Sequence, residues 1–421
     1  MAAGRRASGS AAERTTTMKV LLVTIDFPLP VNAGGVVRLL GISEALARRG
    51  HQLTMLARLR EAHTDPALVG ELSARLGGAP VEVFGAPTRP APGGAWRVAG
   101  RWAFSAATAT PPWVWTAYSR PLAQRLRQLA PQFDACLILD DNAHHYALDT
   151  RGLVPTVLDM QNVMAASWNN TNHWGGAAPS RSERAQQALA YRLLTSWEGR
   201  VSRAADAVIV TSAAEAERFT HHHRLRCDWV GSAIGTPPLV GAPRAAAPKV
   251  IWLGDHRYHA NVHGLLRFLR EAWRPLGERG LRLQIAGRDP GEELRALAAE
   301  LPGVEVLGFV DDLDALLAGA AAAVVPVWKG AGIKMKTLVL MGSGLPVAST
   351  SVGLEGIAAA DGAQTRIADD PVALATAVGD LVADRELGER IGLAGRELIL
   401  GEHTWDGVIG QVEAVLDRVA R

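Results

Sequence analysis

The chain has 421 residues, 48% hydrophobic and 20% charged, which is too long for one core and too apolar for a disordered protein, so two domains of roughly 200 residues are expected. Lys plus Arg number 44 against 42 for Asp plus Glu, and a formal charge of +2 excludes the strongly basic surface of a broad nucleic-acid binder. Two cysteines, Cys136 and Cys227, exclude a disulfide framework and a cysteine-rich zinc site and fit a reducing cytoplasm, while the uncharged apolar run 315–328 contains Pro326 and is too short to span a bilayer.

Residues 1–17 are small, polar and basic with no apolar centre, so they read as a disordered tail and not as a secretory signal. KVLLVTI (Lys19–Ile25) is a continuous apolar run suited to a central parallel strand. The Pro/Gly loop DFPLPVNAGG follows, then a helix that places Val37, Leu40, Ile42, Ala45 and Leu46 near one face and ends at Gly50. HQLTMLA is a second strand, and the strand–helix–strand order predicts a parallel, doubly wound sheet. FDACLILDD, PTVLDMQN and ADAVIVTS read as later strands, with YRLLTSWEGRVSRA a helix before the last. The N-terminal domain is expected over 18–235.

Residues 236–248 lie in a Pro/Ala/Gly-rich stretch and read as a linker. A second set of strands, KVIWLGD, LRLQIAG, VEVLGF, AAAVVPV and PVAST, alternates with helices over 249–404. Two such arrays predict an α/β protein of two Rossmann-like domains facing across a cleft at the strands' carboxyl ends. Lys329–Ile357 carries the most chemistry. After the buried strand AAAAVVPVW the chain breaks at Gly330 and Gly332, starts a helix beside Lys334 and Lys336, and enters a further strand at Pro346. A glycine turn, a helix start and two cations describe a cradle for a diphosphate.

From Met18 onward the chain resembles the retaining, nucleotide-sugar-dependent glycosyltransferases of family 4, which have the GT-B fold. The resemblance rests on the opening MKVLLVTIDFPLPVNAGGVVRLL, on DMQNVMAASW with the segment 192–219, and on KGAGIKMKTLVLMGSGLPVAST. It implies a hexosyltransferase that uses no metal and no cofactor beyond the donor. HTWDGVIGQVEAVLDRV (403–419) looks like the family's last helix, expected over 405–421, which returns to the N-terminal domain.

The resemblance also implies roles. Gly34 and Gly35 would approach the donor diphosphate, where glycine leaves backbone amides uncovered. Lys334 and Lys336 would stabilise the departing diphosphate; being two apart, they do not share a helix face, so one could reach the phosphate while the other meets solvent. Gly254, Arg257 and Gly332 fall in donor-binding turns, Asn261 reads as a helix N-cap, and the backbone around Val310 would meet the base. His144 is the candidate beside the reacting sugar, with His145 its competitor and a solvated loop histidine the plain reading. Asp140 and Asn162 are candidates for acceptor hydroxyls. Asp140 and Asp141 are too few to hold a metal.

One departure from the family stands out. Its two glutamates, separated by seven intervening residues, fall on Ala331 and Val339, and a valine cannot accept from ribose; Glu355 is the nearest substitute. A catalytically silent relative therefore stays open beside the transferase. A dehydrogenase is disfavoured, because NAGGVVR lacks the G-x-G-x-x-G spacing. The segment Ala95–Leu129, rich in Trp and Arg, leaves packing of an acceptor-side lobe and contact with a membrane surface both open. The run His221–His223 reads as a loop. Sugar, lipid and small-molecule acceptors fit equally, the oligomeric state stays open, and the expected location is cytoplasmic, with or without peripheral attachment.

Overall fold

The computed structural model describes residues 5–6, 17–25, 27–31, 34–58, 65–85, 95–172, 180–240, 248–330 and 332–421. Of the expected tail, only Arg5, Arg6 and Thr17 are described. The chain divides into two compact units: Met1–Trp168 with Gly175–Gly231 and Val408–Arg421, and Asn169–Trp174 with Ser232–Gly407.

The first unit holds strands β1 (Arg5–Arg6), β2 (Lys19–Thr24), β3 (Gln52–Arg58), β4 (Val81–Phe84), β5 (Ala135–Ile138), β6 (Thr156–Met160), β7 (Ala207–Val210) and β8 (Asp228–Trp229). They form one sheet in the order β1-β8-β7-β6-β5-β2-β3-β4, every pair parallel. Both faces of β2 are buried, Leu21 and Val23 among the side chains on one face and Val20 and Leu22 on the other, which is why this strand reads as unbroken apolar sequence. The helix Gly34–Arg48 buries Leu39, Leu40, Ile42, Ala45 and Leu46, and Gly50 takes the positive φ that ends it.

The second unit holds β9 (Lys249–Leu253), β10 (Arg282–Ala286), β11 (Val304–Gly308), β12 (Ala320–Val325), β13 (Val347–Ser349) and β14 (Arg366–Ile367), again all parallel, in the order β11-β10-β9-β12-β13-β14. Alternate side chains of β9 and β12 feed two separate cores: Val250, Trp252, Ala322 and Val324 pack into one, Ile251, Ala323 and Val325 into the other. Helices therefore cover both faces. The helix predicted from VHGLLRFLREAWRPLGERG runs from His259 to Glu278 and widens to a π-turn over Leu269–Trp273, two residues before Pro275. No helix among the described residues is long and apolar enough to cross a membrane.

Candidate functional site

In a parallel sheet of this kind the strand order reverses at one point, and the two loops that diverge there leave a crevice beyond the strands' carboxyl ends. In the first unit the reversal falls between β2 and β5, and in the second between β9 and β12. The loop after β2 leads to Gly34 and Gly35, and the loop after β5 carries Asp140 to His144. The loops after β9 and β12 carry Gly254–Tyr258 and Pro326–Lys334. Sheet topology thus brings the sequence candidates together at one end of each unit.

In the first unit Asp140 accepts from the Asn142 amide at 2.9 Å and caps the 3-10 turn Asp141–Tyr146. Asp141 accepts from the Gln161 amide at 2.7 Å and from Asn162 Nδ2 at 3.5 Å. Burial and the charge of Asp140 hold its carboxyl well above the usual range. His144 is buried, and its Nε2 donates to the Asp159 carbonyl at 3.2 Å. That contact puts the proton on Nε2 and leaves Nδ1 an acceptor, buried and without a hydrogen-bond partner among the described residues. Burial pushes the ring's pKa down to about 4, so it is neutral near pH 7. His145 differs: its Nδ1 accepts from Trp197 Nε1 at 3.2 Å, and Trp115 and Tyr118 enclose the ring.

Gly34 and Gly35 form the first residues of their helix. The Gly35 carbonyl accepts from Gln161 Nε2 at 3.2 Å, and a Cβ at Gly35 would lie 2.3 Å from Gln161 Oε1, so this glycine makes room for a side chain of its own unit. The sequence assigned no role to Arg38, yet among the described residues of the unit it is the most enclosed Lys or Arg. It chelates the buried Asp159 with Nη2 to Oδ1 at 2.6 Å and Nε to Oδ2 at 2.9 Å, and its Nη1 donates to the Gly231 carbonyl at 2.9 Å. Two further carboxylates, missed because their partners lie far along the chain, hold the turn after β6. Glu215 accepts from the Val163 amide at 2.8 Å, and Glu198 from those of Met164 at 2.8 Å and Ala165 at 3.1 Å.

In the second unit Gly330 and Gly332 take φ values of 138° and 71°, and Lys334 occupies the N-cap of the helix Met335–Gly342. Neither lysine is a loosely solvated surface group. Lys334 is buried, with Nζ 2.6 Å from the Gly332 carbonyl and 3.7 Å from Glu355 Oε2. Lys336 Nζ donates to Asn261 Oδ1 at 2.8 Å and lies 4.9 Å from the centre of the Trp252 ring. Burial, helped by the charge of Lys334, pushes its pKa down to about 7. The expectation that one lysine would face solvent fails because Lys334 precedes the helix and folds back on its own loop.

Asn261 is not an N-cap. The helix His259–Phe268 is preceded by Tyr258, and Asn261 sits inside it, with Nδ2 bound to the Asp255 carbonyl at 3.0 Å so that Oδ1 turns to Lys336. His256 Nδ1 donates to the Arg288 carbonyl at 2.8 Å, and its ring lies 5.1 Å from that of Trp252. A Cβ at Gly254 would stand 2.6 Å from the Trp252 ring, and one at Gly287 only 1.7 Å from the Gly254 carbonyl, so both loops require glycine where they touch. Arg257 is exposed and already chelates Asp255, at 3.0 Å from Nε to Oδ1. Arg288 stacks on the exposed ring of Phe309, next to Val310. Val339 lies one turn beyond Lys336 and packs against the second core; Ala331 is outside the described residues. Asp312 caps its helix, accepting from the Ala315 amide at 2.9 Å. The His221–His223 run, expected as a loop, forms the last turn of the helix Ala213–His223. Among the described residues no three His, Cys, Asp or Glu side chains are placed to hold a metal ion.

Residues 33–226 match the family model described as "Glycosyl transferase 4-like domain", and residues 247–384 match "Glycosyl transferases group 1". The chain is also similar to HepE of Anabaena, solved in complex with UDP and glucose: 15% identity, 95% of this chain and 99% of that one covered, TM-score 0.65. Sucrose-phosphate synthase of Thermosynechococcus elongatus is 16% identical, with 95% and 98% covered and a TM-score of 0.69. TarM of S. aureus, solved in a complex that includes UDP, is 8% identical, with 95% and 100% covered and a TM-score of 0.66. At such identities the likeness to these three is one of fold. No curated protein matches the sequence significantly.

Proposed function

We propose that this chain, which belongs to the glycosyltransferases of GT-B fold, is a retaining, metal-independent enzyme of the family 4 kind that moves a hexose from a nucleotide sugar to an acceptor hydroxyl. The bond between the anomeric carbon and the β-phosphate oxygen breaks, the acceptor oxygen bonds that carbon from the face the nucleotide leaves, and its proton passes out with the diphosphate. Negative charge grows on the leaving oxygen, and cations fixed in a partly desolvated site stabilise it more than mobile ones in water would. Lys334 and Lys336 carry this reading, because the fold holds both ammonium groups at the helix start beyond β12. Gly34, Gly35, Gly254 and Gly332 let backbone approach the donor, Arg288 with Phe309 and the Val310 backbone suit the base, and Glu355 takes the ribose in place of Val339. Arg257 adds charge at the rim.

On the acceptor side, His144 offers a neutral Nδ1 as a hydrogen-bond acceptor, and Asp140, after the same strand β5, and Asn162, after the neighbouring strand β6, take the acceptor's hydroxyls. The acceptor is a sugar, a lipid or a small molecule, and the enzyme works in the cytoplasm, with peripheral membrane contact if the acceptor is a lipid. The reading is tested by following nucleoside diphosphate release from UDP-, GDP- and dTDP-hexoses. Release from one donor, abolished by Lys336→Ala, is the expected result. Binding of a donor without release under any acceptor would favour the silent relative that Val339 suggests.

A further inference from the structure

The first unit contains a second concave site that none of these roles uses. Between the helices Arg181–Ala204 and Ala213–His223 lies a cavity of about 420 Å³ bounded by Tyr191, Arg192, Thr195, Ser196, Arg203 and His222. Its side chains offer two guanidinium groups, two imidazoles (His222 and His223) and three hydroxyls, and no carboxylate lines it. Its floor is built. His223 is buried, and its Nε2 donates to Glu198 Oε2 at 2.8 Å, while Glu198 is itself held by the Met164 and Ala165 amides. The other ring nitrogen of His223 faces Gly199, where a Cβ would stand 3.2 Å from it and 3.1 Å from Arg203 Nη1. Arg203 is steadied by the Gly199 carbonyl at 3.0 Å. The absent side chain at Gly199 thus opens the floor between an imidazole and a guanidinium.

We infer that this cavity is a binding site for a phosphate-bearing ligand, with Arg192 and Arg203 as its cationic arms and His223 beneath. Guanidinium groups meet phosphate oxygens in pairs, hydroxyls can complete the shell, and a pocket with two guanidinium groups and no carboxylate in its lining disfavours cations. The phosphate could sit on a free metabolite or on a lipid headgroup; the chemistry is shared.

The test separates this site from the proposed donor site, which also takes phosphate. Calorimetric titration with glycerol phosphate, and flotation with vesicles of phosphatidic acid against phosphatidylcholine, are run on the unaltered chain, Arg192→Glu, Arg203→Gln and Lys336→Ala. Expected is binding of the soluble phosphate or of the phosphatidic acid vesicles that survives Lys336→Ala and weakens about tenfold or more in Arg192→Glu, as loss of a charge-assisted contact requires. Arg192 is exposed, so its variant folds, and an unchanged melting temperature checks this. Which ligand binds names the source. Binding of neither, or binding indifferent to Arg192→Glu, overturns the inference.

Discussion

Lys336 reaches across 75 residues of sequence to Asn261, its Nζ 2.8 Å from Oδ1 and above the face of Trp252. The contact joins the helix after β9 to the helix after β12, the two elements that diverge where the strand order reverses. Burial and the charge of Lys334 bring the Lys336 pKa down to about 7.

Donor binding should therefore depend on pH. The protonated form prevails below about 7 and is lost above it, so in the free protein the charged fraction falls roughly tenfold per pH unit on the alkaline side. Affinity for a nucleotide sugar is expected to weaken between pH 7 and 9, measured by titration at fixed ionic strength. Lys336→Arg, which stays charged, should flatten that slope.

His144 and Lys336 should separate by readout. His144→Ala is expected to slow transfer by about tenfold, the scale of one hydrogen bond, while leaving the donor-induced rise in melting temperature intact. A loss of donor response in this variant would place His144 elsewhere in the reaction.

The buried pair Arg38–Asp159 makes a stability prediction. Removing one partner leaves a charge in the interior, so Arg38→Ala should destabilise by about 3–5 kcal/mol in urea unfolding. Arg38→Met with Asp159→Leu should cost less than either single change, because no charge is then stranded.

Gly264 packs its helix directly on the loop after β12: a Cβ there would lie 1.9 Å from the Pro326 carbonyl. Gly264→Ala must push the helix and loop apart. About 1–3 kcal/mol of stability should go with it, and donor affinity too.

The sequence carried the sheet frame well where strands are buried on both faces, as in Lys19–Thr24 and Ala320–Val325, since a short apolar run bounded by turn residues fits a strand covered on both sides. It did not show Val81–Phe84, a half-buried edge strand of mixed character, or the two-residue strands Asp228–Trp229 and Arg366–Ile367. The candidate site was legible as a glycine turn with two lysines, but its geometry was not. Arg38 finds Asp159 121 positions away, and Asn261 was read as a cap because its partner across the sheet has no local signature. Long-range pairing of polar groups leaves no period in the chain.

The central claim is that the second unit binds a nucleotide sugar through Lys334 and Lys336 although Val339 supplies no acceptor for ribose. Thermal unfolding with UDP-, GDP- and dTDP-hexoses, compared across the unaltered chain, Lys336→Ala and Val339→Glu, tests it most directly. A ligand at about a hundred times its Kd adds roughly 2.7 kcal/mol, several degrees of melting temperature. The account predicts such a rise with one donor in the unaltered chain and its loss in Lys336→Ala. No rise with any donor, or a rise gained only by Val339→Glu, would contradict it.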